Sequence, residues 1–310
     1  PMTVKKIAIL SPGDMGHAVG GELSEHGFEI LTHLEGRSER TCALAKDAGF
    51  RISATLNELI NEADLLLSIL VPASAETVAK EIARSLQETG ETTLIADCNA
   101  ISPMRSEHIG RIIESAGGRY IDASIIGHPP GRDVPPRFYV SGQYADAMLE
   151  LDGKGIAVKT LGGDVGRASG IKMCYAALTK GTSTLQVALL TVAESLGLSS
   201  ELHEELAYSQ KAALRSMESG IPRLPPNAHR WIGEMEEIAT TFAAEGVTPH
   251  FHLGAAAIYR LLEQTPYAVE SPEDIDSNRT LTQTIAATVA QLPESRMEDT
   301  DHDSESPDAE

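Results

Sequence analysis

Cysteine and long apolar runs are scarce in this 310-residue chain. The three cysteines, Cys42, Cys98 and Cys174, have no paired spacing. This argues against a disulfide framework or a zinc site and favours a reducing cytoplasm. No apolar run approaches the roughly 18 residues of a membrane span, and the N-terminus does not resemble a signal peptide. We therefore expect a cytoplasmic protein with no membrane partner.

Basic residues are also few, with 25 Lys and Arg against 45 Asp and Glu, so the formal net charge is −20. Residues 297–310 contain seven acids, no Lys or Arg and few apolar side chains, and we predict a disordered acidic tail over 294–310. Nucleic acid is not expected as a partner, because a phosphate backbone requires clustered Lys and Arg.

A glycine-containing turn, SPGDMG at residues 11–16, follows the first apolar run and leads into a helical stretch. Such a turn directs the N–H groups of a helix N-terminus at an anion, and Gly13 and Gly16 leave room for a pyrophosphate. Ser11 stands where the motif has its first glycine. The position of the turn in a βαβ-length unit favours dinucleotide binding over an ordinary strand-to-helix turn.

Apolar runs alternate with helical stretches up to about residue 162. The runs predict strands near 4–10, 28–34, 64–71, 92–96, 119–122, 137–141 and 156–161. The alternation is typical of a parallel, doubly wound sheet, to which the last strands could add in antiparallel fashion. We predict an α/β fold with an N-terminal NAD(P)-binding Rossmann domain (1–162) and an all-α substrate and dimerisation domain (163–293).

The second domain is predicted to begin with a helix of about thirty residues, roughly 45 Å long, with Asp164 as its N-cap. One face of this helix carries a mostly apolar stripe, which consists of Ile171, Tyr175, Leu178, Thr182, Leu185, Leu189, Val192 and Leu196. The helix is too long for a small domain to cover, and it could also support a subunit interface. Further helices are predicted over 200–219, 227–245, 251–264 and 277–291.

The residues after the second predicted strand bear on cofactor choice and point two ways. Glu35 lies 19 residues after Gly16, where an acid commonly binds the adenosine ribose and favours NAD. Arg37, Ser38 and Arg40 follow, and two guanidiniums with a hydroxyl can hold a 2′-phosphate. A solvated loop with Ser38 as a helix N-cap is the structural alternative. We expect NADP as the cofactor, with NAD as the alternative.

Several segments resemble, in order and spacing, the motifs of the β-hydroxyacid dehydrogenases. Besides the opening turn, they are DLLLSILVP at 64–72, DCNAISP at 97–103, DASIIG at 122–127 and GRASGIKMCYA at 166–176. This family includes 3-hydroxyisobutyrate dehydrogenase and is related to 6-phosphogluconate dehydrogenase. The segment RWIGEM at 230–235 is similar to a less characterised branch described only as 6-phosphogluconate-dehydrogenase-like. The resemblance implies a nicotinamide cofactor, a small-molecule substrate and a homodimer.

The resemblance also implies roles for individual residues, with Lys172 as the residue that exchanges the hydroxyl proton. Cofactor contacts are expected from Ser11, Gly13, Asp14, Met15, Gly16, Glu35, Arg37, Ser38, Arg40, Val71, Pro72 and Asn99. Substrate contacts are expected from Asn99, Ser124, Gly127, His128 and Tyr175. Three departures from the family pattern leave the substrate open. Ile126 and His128 replace a serine and a glycine that anchor a carboxylate, and Ala176 replaces an asparagine.

Lys172 can also be weighed from its neighbours on the helix. Small and polar residues share its face, which suits a cleft, and a desolvated amine near a cationic nicotinamide has a lowered pKa that suits a general base. The alternative is a surface lysine near a helix start. We expect Lys180 to be solvent-exposed, and the apolar stripe favours a core position for Tyr175 over a role in proton transfer.

Two pairs of residues, His250 with His252 and His128 with Arg132, are weaker candidates for ligand binding. His250 and His252 lack a third ligand, so no metal is expected, and Trp231 has the helical spacing of a core residue. His128 and Arg132 are candidate anion contacts. Three functions remain open: an NAD(P)-dependent dehydrogenase acting on a small polar hydroxy acid or its oxo form, an imine or ketone reductase, and a non-catalytic cofactor-binding regulatory protein.

Overall fold

The structure is a computed structural model that describes residues 3–131, 133–271 and 274–293. The predicted acidic tail over 294–310 and the candidate anion contact Arg132 lie outside these residues. Within them, the first half of the chain forms a single sheet flanked by helices, and the second half is helical.

The described residues form eight strands. In chain order they are β1 (Lys6–Leu10), β2 (Glu29–Thr32), β3 (Arg51–Ile52), β4 (Leu65–Ser68), β5 (Leu94–Asp97), β6 (Arg119–Ile126), β7 (Arg137–Ser141) and β8 (Ala157–Thr160). Their order across the sheet is β3-β2-β1-β4-β5-β6-β7-β8. Strands β1 to β6 are parallel, whereas β7 is antiparallel to β6 and parallel to β8. The predicted α/β fold and its antiparallel last strands are therefore confirmed. Strand β3 was not predicted, because its two residues are both exposed and carry no apolar pattern.

The described residues also form eleven α-helices. They are α1 (Asp14–Glu25), α2 (Glu39–Asp47), α3 (Leu56–Glu62), α4 (Ala75–Thr89), α5 (Pro103–Ser115), α6 (Arg167–Ser195), α7 (Ser199–Ser209), α8 (Lys211–Gly220), α9 (Ala228–Ala244), α10 (His250–Glu263) and α11 (Leu281–Val289). The single helix predicted over 200–219 is two helices, which meet at Gln210 with φ −133° and ψ 43°. The sheet ends at Thr160 and α6 begins at Arg167.

The sheet separates two apolar cores, and the helical half has a third. Val19 and Leu23 of α1 pack against one face of the central strands, while Ile82 of α4 and Ile113 of α5 pack against the other. In the helical half, buried residues of α6, α9 and α10 form one cluster, which includes Met173, Met235 and Tyr259. The sheet order reverses between β1 and β4, and ligands of doubly wound folds bind beyond the carboxyl ends of strands at this point.

The N-terminus of α6 is capped by a residue of the sheet, not by Asp164 as predicted. The N-cap position is Gly166, in the left-handed region with φ 103°. The carboxylate of Asp122 on β6 accepts hydrogen bonds from the N–H groups of Gly166 at 2.8 Å, Ala168 at 3.0 Å and Ser169 at 3.1 Å. Because Asp122 lies 44 residues before Gly166, local sequence could not indicate this cap.

Most of the apolar stripe predicted on α6 is exposed. Its members Tyr175, Leu178, Leu185, Val192 and Leu196 are between 44% and 69% exposed. A different face of α6 packs inward and contains mainly small or polar residues, namely Ala168, Ser169, Met173, Ala176, Thr184, Val187, Thr191 and Ala193. The core position predicted for Tyr175 is therefore wrong, because Tyr175 lies on the exposed face. The inner face can contain polar residues because the hydroxyls of Thr184 and Thr191 donate to carbonyls of their own helix.

Candidate active site

The turn after β1 has the geometry of an anion site. Ser11 has φ 57°, a left-handed conformation that favours glycine, and its carbonyl accepts the N–H of Gly13 at 2.7 Å. Helix α1 begins immediately after Gly13, so the N–H groups of its first turn have no partner inside the helix. A Cβ on Gly16 would lie 3.2 Å from the Ser11 carbonyl oxygen. These features fit a dinucleotide pyrophosphate on the backbone.

A cleft of about 300 Å³ joins this turn to the helical half of the chain. It brings together the predicted cofactor residues Ser11, Gly13, Asp14, Met15, Gly16, Arg40, Val71 and Pro72. The opposite wall contains Arg230, Trp231 and Glu234 of α9. Trp231 was expected in the core, and no role was predicted for the individual residues Arg230 and Glu234, because nothing local in the sequence links α9 to the first turn.

Arg230 connects the two walls of this cleft through Asp14. The carboxylate of Asp14 lies 2.6 Å from Nη2 of Arg40 and 3.5 Å from Nη1 of Arg230. Two guanidiniums therefore flank the Asp14 carboxylate beside the turn where α1 begins. Positive charge at this place fits a bound pyrophosphate.

The predicted 2′-phosphate residues do not converge on one point. Arg40 lines the first cleft, whereas Glu35 and Arg37 line a second cleft of about 400 Å³ that also contains Arg84. The hydroxyl of Ser38 accepts the N–H of Thr41 at 3.2 Å and so acts as the N-cap of α2. The buried Nε of Arg37 has no hydrogen-bond partner among the described residues. Arg37 is thus the member of the set best placed to receive an anion.

Asn99 fixes the loop that borders the first cleft. Its side-chain oxygen accepts the N–H of Leu70 at 2.5 Å, and its amide donates to Ser68 Oγ at 3.3 Å. The residue is 2% exposed. Asn99 therefore ties the ends of β4 and β5 together and positions Val71 and Pro72. A direct contact of Asn99 with cofactor or substrate stays a prediction.

Lys172 lies in the second turn of α6 with its side chain 16% exposed. Its Nζ donates to the carbonyl of Ile125 at 2.9 Å and lies 3.8 Å from Oε1 of Glu234. Burial lowers the pKa of Lys172; Glu234 opposes this shift and Lys180 adds to it. The neutral amine that a general base requires is therefore favoured relative to a lysine in water.

Glu234 is buried between two lysines and bounds the site from α9. Its Oε2 lies 2.8 Å from Nζ of Lys180, which also lies 5.5 Å from the centre of the Trp231 ring. Burial raises the pKa of Glu234, but the charges of Lys180 and Lys172 outweigh it and the net shift is downward. Lys180 was predicted to be solvent-exposed, yet its side chain is only 18% exposed because α9 covers it.

Helix α9 is held against the sheet domain one turn beyond Glu234. The carboxylate of Glu237 accepts the N–H of Ser102 at 2.7 Å and pairs with Arg105 at the start of α5. The contact places Glu234 against Lys172.

The predicted substrate residues near β6 have different surroundings. Ser124 is fully buried, and its hydroxyl donates to the carbonyl of Ala168 at 2.8 Å. Gly127, with φ 120°, and His128 are exposed beyond the end of β6, and Tyr175 is 44% exposed on α6. The Ser124 hydroxyl is thus hydrogen-bonded to α6. Substrate contacts from Ser124, Gly127, His128 and Tyr175 stay predictions.

One histidine of the candidate metal pair, His252, has a structural role. His252 is buried, its Nε2 lies 3.3 Å from the carbonyl oxygen of Ala177, and its ring packs edge-on against Phe242. In the described part of the chain, no group of three or more His, Cys, Asp or Glu is arranged to hold a metal ion.

None of the described helices is long and apolar enough to cross a membrane.

Two protein-family descriptions match separate parts of the chain. The family described as NAD binding domain of 6-phosphogluconate dehydrogenase matches residues 6–148, and a domain of unknown function, DUF1932, matches residues 193–262. An uncharacterised 28.5 kDa protein of Methanothermus fervidus is 30% identical over 184 residues, which span 59% of this chain and 68% of that protein. The chain belongs to the β-hydroxyacid dehydrogenase and 6-phosphogluconate dehydrogenase-like family. This confirms the resemblance found in the sequence motifs.

A named relative in this family is the mitochondrial 3-hydroxyisobutyrate dehydrogenase of Drosophila melanogaster. It is 26% identical over 200 residues, which span 63% of this chain and 58% of the relative. The match thus covers somewhat more than half of the length of that enzyme.

Solved structures support the same family. A conserved protein of unknown function, described as structurally similar to 3-hydroxyacid dehydrogenases, is 28% identical with a TM-score of 0.61, over 83% of this chain and 96% of that one. The Mycobacterium tuberculosis 3-hydroxyisobutyrate dehydrogenase, solved with L-serine, is 18% identical with a TM-score of 0.65, over 92% and 99%. An imine reductase from Myxococcus stipitatus is 18% identical with a TM-score of 0.52, over 92% and 100%. The last two matches show the fold alone.

Proposed function

We propose that this protein transfers a hydride between a nicotinamide cofactor and a small polar hydroxy acid or its oxo form, with Lys172 as general acid and base. The observation that carries the proposal is the position of Lys172. Its amine is mostly buried, has a lowered pKa and contacts Glu234, a residue of the cleft that begins at the dinucleotide turn.

The nicotinamide, when bound, supplies or accepts the hydride. In the oxidation direction the neutral amine of Lys172 takes the hydroxyl proton of the substrate, and in reduction the ammonium returns it. The carbonyl of Ile125 accepts one hydrogen bond from Nζ at 2.9 Å and so fixes the amine relative to β6. Because Nζ is held by backbone, little reorganisation is needed when the proton moves.

For the cofactor, we favour NADP over NAD. Arg37 supports this preference, since its buried Nε has no partner among the described residues and its side chain lines the second cleft with Arg84. Glu35 lines the same cleft and is the feature that would favour NAD. Its side chain is 86% exposed and lies 3.4 Å from Nε2 of His33, so it can turn away from a phosphate.

A homodimer is part of the proposal. The exposed apolar stripe of α6 continues onto α10, where Phe251 is 73% exposed beside Leu178 and Leu185. Burial of apolar surface is favourable by about 25 cal/mol for each Å² that is removed from water. A second copy of the chain would remove this surface from water.

A substrate panel tests the proposed reaction. Purified protein is supplied with hydroxy acids, oxo acids and cyclic imines, each with NADP(H) and NAD(H), and the nicotinamide absorbance is followed. Turnover of a hydroxy or oxo acid that is lost in Lys172→Met but kept in Lys159→Met, an exposed control on β8, supports the proposal. Imine turnover that survives Lys172→Met would favour the reductase, and cofactor binding without any turnover would favour a regulatory protein.

A further inference from the structure

One buried carboxylate links two lysines of the same helix. Lys172 and Lys180 are eight residues apart on α6, a separation of about 12 Å along the helix axis. Glu234 of α9 nevertheless reaches both, with Oε2 at 2.8 Å from Nζ of Lys180 and Oε1 at 3.8 Å from Nζ of Lys172. The two contacts are unequal, because Lys180 has the shorter one.

The oxygen that faces Lys172 lacks a hydrogen bond. Oε1 of Glu234 is buried and has no hydrogen-bond partner among the described residues. A buried acceptor without a partner is costly, more so when it is charged. The neighbouring Nζ of Lys172 already donates to Ile125, and as an ammonium it carries further N–H groups. At 3.8 Å from Nζ, the charged Oε1 therefore stabilises the ammonium form of Lys172 more than the neutral amine.

We propose that Glu234 and Lys180 together set the charge state of Lys172. Glu234 acts as a positioning residue that stabilises the ammonium form, and Lys180 limits this effect by holding the other carboxylate oxygen. Where the proposed function holds, the pair determines the pH at which Lys172 can act as a base. The charge state of Lys172 can be measured without a substrate.

The charged and titratable groups around Lys172 and its partner Glu234 come from three helices. Lys180 lies on α6, Glu234 and Arg230 lie on α9, and Arg230 acts on the Glu234 carboxylate. From α10, the buried hydroxyl of Tyr259 stays neutral because burial and Glu234 both raise its pKa. Strand β6 contributes the neutral carbonyl of Ile125. Glu234 is thus the group that favours a charged Lys172, while burial and Lys180 oppose it.

Two single substitutions should move the pKa of Lys172 in opposite directions. Glu234→Gln keeps the shape of the side chain but removes its charge, so the pKa of Lys172 should fall by about one pH unit or more. Lys180→Met removes a repulsive charge and frees Glu234 for Lys172, so the pKa should rise. Glu234→Asp keeps the charge and should lie closer to wild type than Glu234→Gln. A merely structural role for Glu234 predicts no such opposition.

The pKa is read by NMR titration of protein labelled with ¹³C at the lysine ε-carbons. The Lys172 signal is assigned by its absence from the Lys172→Met spectrum. Glu236→Gln is the matched control, because Glu236 lies on the exposed face of α9 and pairs with Arg260. This control should leave the titration of Lys172 unchanged.

Shifts of opposite sign, with the double variant Glu234→Gln/Lys180→Met closer to wild type, would support the proposal. An unchanged or raised pKa of Lys172 in Glu234→Gln, or an unchanged or lowered pKa in Lys180→Met, would overturn it. If Glu234→Gln does not fold, the other two variants decide. A raised pKa of Lys172 in Lys180→Met, with Glu234→Asp close to wild type, supports the proposal, and no rise in Lys180→Met overturns it. Absent turnover together with opposite shifts would reject the proposed function and keep this inference.

Discussion

Replacement of Asp122 tests how α6, and with it Lys172, is fixed to the sheet. One carboxylate oxygen of Asp122 accepts the N–H groups of Gly166, Ala168 and Ser169 and the hydroxyl of Ser141. The other accepts two serine hydroxyls, at 2.9 Å and 2.6 Å. Asp122 is fully buried, so water cannot readily replace these bonds.

The expected cost follows from the groups that lose their acceptor. Asp122→Ala leaves the buried N–H groups of Gly166 and Ser169 without a partner, whereas the N–H of Ala168 keeps Ser141 Oγ at 3.1 Å. At about 1–3 kcal/mol each, the two lost partners cost about 2–6 kcal/mol in total. This is a large fraction of the roughly 5–15 kcal/mol that stabilises a folded domain. Asp122→Asn keeps one acceptor oxygen for the three N–H groups but loses the charge and replaces the oxygen that accepts two serine hydroxyls by an NH2 donor, so it should cost about 1–3 kcal/mol.

Urea unfolding measures both variants, with the midpoint compared at constant slope. Asp64→Ala is the matched control, because the Asp64 carboxylate also accepts backbone N–H groups, those of Lys5 and Lys6, but where solvent has access. It should cost about 1 kcal/mol or less. If Asp122→Ala is no more destabilising than Asp64→Ala, the account of the α6 cap is refuted.

Three further results are expected. Burial raises the pKa of Asp97 to about 7, so the folded protein binds this proton more tightly than the unfolded chain does. The stability that this group contributes is therefore lost as pH rises from about 4 to about 7. Asp97→Asn should gain stability relative to wild type over that range in thermal unfolding, and a constant difference between the two proteins would contradict this. Arg37→Ala should weaken NADP binding about tenfold or more in calorimetric titration and leave NAD nearly unchanged, whereas equal losses would reject a 2′-phosphate contact. Leu185→Glu should convert the proposed dimer to a monomer in light scattering, while Leu149→Glu, an exposed control outside α6, should not. A monomeric wild type would reject the proposed dimer.

Features with a local signal were predictable from sequence. The turn at 11–16 depends on residues adjacent in the chain, and the buried strands carry continuous apolar runs. The change from sheet to helices has a similar signal, because the periodicity of apolar residues changes there. Lys172 could be found because its motif surrounds it in the chain.

Features that depend on distant residues were not predictable. Glu234 lies 62 residues after Lys172, and only the packing of α9 against α5 and α6 brings the two together. Lys180 looks exposed in sequence for the same reason, since its cover comes from Trp231 and Glu234. The stripe on α6 shows the limit of periodicity, because an apolar face can be exposed while Thr184 and Thr191 of the inner face are buried.

The central claim is that Lys172 moves the substrate proton, and the turnover of Lys172→Met tests it most directly. Methionine keeps an unbranched side chain of similar length, so folding and cofactor Kd should be preserved. Loss of a general acid–base group should lower kcat by a factor of roughly 10² to 10⁴ on a hydroxy acid that the wild type oxidises. Near-normal kcat in Lys172→Met, with unchanged cofactor Kd, would contradict the account.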